Sequence, residues 1–223
     1  MTSAALMARP LPSYTKTEEF LNSFSHALGV VFGIFVLISC IGVSSGTPAL
    51  LGRSVYGTSI ILLYAMSSIY HGLNPSNLLA KQILRVADHC TIFVLIAGTY
   101  TPVILTAIYP YDPVKSLIIL GCIWAAAIVG IIFTAIDLQK YSRFSMVCYI
   151  ALGWFALFLI PSLIASAGIS GLALLIGGGV SYTIGAVLYG IGKRKRYMHF
   201  VFHLFVIIGT VLHFICIYSL IKA

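Results

Sequence analysis

The chain has 223 residues, of which 60% are hydrophobic and 8% charged, with a formal net charge of +8. An ordinary soluble domain carries about 25% charged residues, so a water-exposed globule is excluded. The basic residues are divided among short connections and form no continuous stripe, which argues against a nucleic-acid surface.

Cutting the sequence at every Asp, Glu, Lys and Arg leaves six long uncharged stretches, 20–52, 54–80, 89–111, 116–136, 144–192 and 197–221. A helix needs about 20 mostly apolar residues to cross a bilayer. The stretch 144–192 is long enough for two crossings, and the small, turn-forming run Ser166-Ala167-Gly168-Ile169-Ser170-Gly171 supplies its break. The expectation is an all-α bundle of seven transmembrane helices at about 20–43, 54–72, 86–108, 116–136, 144–165, 172–192 and 199–220. Residues 1–19 form a short cytoplasmic segment and 20–221 the membrane domain, which leaves function to reside in the bundle.

Glu18 and Glu19 stand just before the first span, and the start of the chain lacks the basic and apolar pattern of a signal peptide, so that span is expected to be retained. Asn74-Pro75-Ser76-Asn77 makes the turn after span two; Pro102 in span three and Pro161 in span five are expected to kink their helices. Span six carries Gly177, Gly178, Gly179, Gly185, Gly190 and Gly192, read as sites of close helix approach. No internal repeat supports an inverted-repeat transporter. The five cysteines lie in apolar stretches without paired spacing and are read as packing residues.

With the N-terminus inside, the cytoplasmic segments hold Arg9, Lys16, Lys81, Arg85, Lys140, Arg143, Lys193, Arg194, Lys195 and Arg196, ten basic residues. The opposite face holds three, Arg53, Lys115 and Lys222. The asymmetry predicts a cytoplasmic N-terminus and an external C-terminus.

Ionisable groups inside a membrane are costly and tend to mark function. Under this topology Ser67 and His71 end span two, Asp88 opens span three, and His199 and His203 open span seven, all at one membrane depth. His199 and His203 are four apart and share a helix face. With His71 they would make three protein ligands and an open fourth position, the arrangement of a catalytic zinc ion; the alternative is a set of hydrogen-bonded interior histidines. Ser67 shares the face of His71, where its hydroxyl can reach a bound water or an oxyanion. Of the other carboxylates, Glu18 and Glu19 precede span one, Asp112 is in an outer loop and Asp137 ends span four, which leaves Asp88 as the acid beside the site. Its alternative roles are to cap span three or to pair with Arg85. His26 lies at a similar depth and offers a hydrogen bond; His89 points to another face; His213 is about 15 Å beyond His203 along the helix, too far for the same ion.

The segments Asn22-Ser23-Phe24-Ser25-His26, Ser67-Ser68-Ile69-Tyr70-His71, Asp88-His89-Cys90, Ala97-Gly98-Thr99-Tyr100-Thr101-Pro102 and His199-Phe200-Val201-Phe202-His203 together resemble the bacterial hemolysin III family, within the progestin and adipoQ receptor superfamily. The resemblance runs from Glu18 to Tyr218 and implies seven spans with the N-terminus in the cytoplasm. In the adiponectin-receptor branch zinc is held by a histidine ending the second span and two opening the seventh. By motif these are His71, His199 and His203, with Ser67 and Asp88 at the matching serine and aspartate. That branch is thought to be ceramidase-like, so the resemblance implies a zinc-dependent hydrolase of a lipid amide or ester in the bacterial inner membrane. The sequence is read as lacking the long N-terminal domain of the receptors, so hormone recognition is not expected. The alternatives are a membrane sensor or regulator with a structural zinc, a cytolysin, and a transporter or proton relay.

Overall fold

The computed structural model describes residues 6–192 and 195–220. Within them every regular element is helical: α1 Lys16–Gly42, α2 Thr47–Gly72, α3 Leu78–Ala107, α4 Pro113–Ile136, α5 Ser142–Trp154, a tighter 3-10 segment Phe155–Leu159, α6 Ile160–Gly192 and α7 Met198–Ser219. Among the described residues six helical stretches are long and apolar enough to cross a membrane, the fifth being the 51-residue run Ser142–Gly192. Lys193, Arg194 and Lys222, which enter the charge asymmetry, lie outside the described residues, as does the start of the N-terminal segment.

The first five helices start earlier than their charges suggested, α2 at Thr47 and α3 at Leu78 by the most. Arg53 is therefore a helix residue, 2% exposed, whose guanidinium donates to the Val43 carbonyl and to Ser44 Oγ at 2.9 Å at the end of α1. A charged side chain can join a membrane helix where acceptors at a neighbouring helix end meet part of its donors.

The run Ser142–Gly192 is not one rod. Gly168 has φ 67° and ψ −176°, a left-handed backbone that favours glycine. Trp154 Nε1 donates to Thr183 Oγ1 at 3.1 Å. An unbroken helix would hold these residues about 44 Å apart, so the chain folds back between them. Pro161 follows the 3-10 segment at the start of α6, where the missing N–H forfeits no bond. Pro102 sits inside α3, which continues through it to Ala107. All five cysteines are free thiols.

The distribution of side chains on α1 is inverted relative to a helix in water. Phe20, Phe24, Leu28, Val31, Phe35 and Ile38 are exposed, whereas Asn22, Ser25 and His26 are buried. Lipid solvates the first group, and only the protein interior offers the second a polar environment. In lipid, helices are held together by close packing. α1 packs on α2, α2 on α3, α6 on α7, and α1 also reaches α7, bringing α1, α2 and α7 together. At Gly57 a Cβ would stand 2.7 Å from the Cα of Leu37, a backbone atom of α1 that cannot step aside. Gly57→Val should cost about 1–3 kcal/mol, lowering the thermal midpoint of the detergent-solubilised protein by several degrees; an unchanged midpoint would contradict this packing.

Candidate metal centre

The start of α1 and the start of α7 are tied by one carboxylate. Thr15 and Glu18 form a reciprocal cap: Glu18 N donates to Thr15 Oγ1, and Thr15 N donates to Glu18 Oε2 at 2.9 Å. The other oxygen, Glu18 Oε1, accepts from Tyr197 N at 2.8 Å. Tyr197, with φ 63°, takes a left-handed conformation uncommon for a residue with a side chain, immediately before α7. The turn that launches His199 and His203 is thereby anchored on α1.

His71, in the last turn of α2, meets them. His199 Nε2 lies 3.2 Å from His71 Nε2 and 3.1 Å from His203 Nε2, and all three residues are buried. Hydrogen-bond chemistry fixes two of the rings. His71 Nδ1 is 2.6 Å from Glu19 Oε2, a carboxylate that only accepts, so Nδ1 carries the proton. His203 Nδ1 donates to the Asn22 carbonyl at 3.2 Å. In their neutral forms both rings then present a bare Nε2 lone pair to the same point. Nitrogen donors about 2.0–2.1 Å from a tetrahedral zinc stand about 3.3 Å from one another. The two short separations suit that geometry, and the three histidines form a group able to hold a metal ion. Without a cation one of these lone pairs would lack a partner, because His199 Nε2 can donate to only one of them. The donor set fits zinc.

Glu19, placed ahead of span one in the sequence reading, belongs to the site. Its Oε1 accepts from Lys81 Nζ at 2.7 Å, and Lys81, 2% exposed, also donates to the Leu73 carbonyl. Glu19 therefore bridges a buried cation and the ring it orients. The signal was helical spacing: Glu19, Asn22 and His26 fall on one face once α1 is extended back to Lys16. A carboxylate on the far nitrogen of a ligand histidine raises its basicity and fixes its ring. Glu19→Gln should weaken zinc binding about 10–100-fold, as read by competition with a chelator of known affinity; unchanged affinity would leave Glu19 without that function.

Ser67 is buried one turn before His71, and Asp88 is partly exposed; both line a cavity of about 580 Å³ with His26, His199 and His203. Asp88 does not cap α3, which begins ten residues earlier at Leu78. Arg85 is directed to the Pro10 carbonyl, and the ion-pair neighbour of Asp88 is His89 Nδ1 at 3.8 Å. His89 itself faces α6, with Nε2 3.1 Å from the Tyr189 hydroxyl. His213 lines the same cavity away from the triad, its Nε2 donating to the Leu175 carbonyl.

Residues 9–14 run from α3 to the histidines. Gln82 donates to the Arg9 carbonyl, Arg9 pairs with Asp137 beyond α4, and the Tyr14 ring lies 5.0 Å from that of His199 and 5.7 Å from that of His71. Burial, reinforced by Tyr70, pushes the Tyr14 phenol well above its ordinary value, so it stays protonated.

The model of the family described as "Haemolysin-III related" matches residues 14–214. Hemolysin-3 of Bacillus cereus is 34% identical over 203 residues, 90% of each chain. The hemolysin-3 homolog of Bacillus subtilis is 31% identical over 207 residues, 92% of this chain and 94% of its own. The human monocyte to macrophage differentiation factor is 23% identical over 209 residues, 91% of this chain and 84% of its own. With the apolar helices, these matches make the chain a multi-pass membrane protein.

Proposed function

The chain belongs to the haemolysin-III related family, and from that premise we propose that it is a zinc-dependent intramembrane hydrolase acting on a lipid amide or ester in the bacterial cell membrane. The observation that carries the reading is the meeting of three imidazole Nε2 atoms, two with their second nitrogens committed to acceptors, where His199 and His203 line a cavity large enough for a lipid chain. His71, His199 and His203 would hold the ion. Bound there, zinc supplies Lewis acidity, polarising a carbonyl and lowering the pKa of water.

The remaining roles fall to side chains of this cavity. Asp88 takes a proton from the attacking water and returns it to the leaving nitrogen or oxygen, so that acid and amine or alcohol are released. Ser67 donates its hydroxyl to the oxygen that gains charge as the carbonyl is attacked. Glu19 holds His71 in register.

Counting the fold-back near Gly168 as two crossings gives seven spans, and the positive-inside bias puts the N-terminus in the cytoplasm and the C-terminus outside. A second reading is favoured by the source of the ligands: because they come from α2 and α7, the ion would equally staple those helices in a sensor or regulator without turnover. Reconstituted protein supplied with N-acyl and O-acyl lipids separates the two. Hydrolysis lost on chelation and regained with zinc is the expected result; a zinc-loaded protein inert on both classes would overturn the hydrolase and leave the staple.

A further inference from the structure

The mechanism above leaves His26 without a task, yet its environment is unusual. It is 3% exposed, its ring stacks on that of His203 at 3.6 Å and 11°, and it meets Tyr64 edge-on at 4.9 Å. Both ring nitrogens are buried and unpaired among the described residues. Buried polar atoms in folded proteins nearly always have partners, so such a group calls for a ligand or a water. Asn22, one turn earlier, carries an equally unpaired amide, but His26 is the one of the two that lines the cavity.

We propose that His26 is a specificity-determining residue that hydrogen-bonds a hydroxyl group of the lipid bound in this cavity. The proposal rests on the reading that the cavity takes a lipid amide or ester. A neutral imidazole offers one N–H and one lone pair. The two nitrogens point apart, so one hydroxyl meets one of them: it donates to the imidazole lone pair, whereas an ether or ester oxygen only accepts and leaves that lone pair unpaired. The stack on His203 fixes the ring plane beside the metal ligands, so the selected hydroxyl lies on the part of the lipid nearest the scissile bond. The rest of the cavity wall is mostly apolar and suits the chain.

The test uses full-length protein in nanodiscs and two probes, N-palmitoyl ethanolamine and its O-methyl ether, with binding measured and zinc content determined in parallel. Wild type should prefer the free hydroxyl by about tenfold, the scale of one hydrogen bond withdrawn from a buried partner. His26→Phe keeps an aromatic ring in the stack; it should bind both probes alike while retaining wild-type zinc. His26→Gln, which supplies a donor and an acceptor, should recover part of the preference, and covers the case in which the Phe variant does not fold. A hydroxyl preference that survives in His26→Phe overturns this proposal alone. Wild type that binds neither probe overturns it together with the lipid-ligand reading.

Discussion

Purified His203→Ala should retain only a small fraction of the roughly one zinc per chain expected of wild type. Apparent binding free energies of about 10–16 kcal/mol for a four-ligand zinc site apportion to about 2.5–4 kcal/mol per ligand, so removing one weakens binding by roughly 10²–10³-fold. His203 has a larger share than its donor atom alone, because its Nδ1 is held by the Asn22 carbonyl and its ring supports His26. The truncation takes a ligand and also releases the wall behind it. His213→Ala is the matched control, since that ring lies in the same cavity with its Nε2 on the Leu175 carbonyl. Equal zinc in wild type and His203→Ala would exclude the ligand set.

Much of this site is legible in the residue pattern because two of its rules are local. His199 and His203 share a face by helical geometry alone, and Ser67 stands one turn from His71 for the same reason. The meeting of the two pairs is not local, but ionisable side chains in a membrane have few places to go, and converging depth was a usable substitute for contact. What the pattern hid depends on the ends of helices. Treating each charge as a boundary cut α1 at Phe20 and α3 at Val86, which put Glu19 outside the bundle and made Asp88 a helix start. In the structure Glu19 and Lys81 neutralise one another and Lys81 also donates to the Leu73 carbonyl, so charged residues extend the starts of the helices. The tie from Glu18 to Tyr197 N spans 179 residues and depends on a left-handed turn at a non-glycine residue, which no periodicity announces.

Asp88→Asn should lower hydrolysis about 10²–10⁴-fold while leaving zinc content at the wild-type level. The substitution preserves volume and the ability to hydrogen-bond but removes the proton acceptor, so the loss should fall on kcat, with KM for the lipid little changed. The structure gives this variant its discriminating power. Asp88 neither caps α3 nor pairs with Arg85, and its ion-pair neighbour is His89 at 3.8 Å, so neutralising it removes no tie between helices. A thermal midpoint close to wild type should accompany the lost turnover. If Asp88→Asn turned over lipid at the wild-type rate, proton transfer would have to pass through another group on the cavity wall. Ser67 is a poor substitute at neutral pH, and His26 would become the next residue to replace.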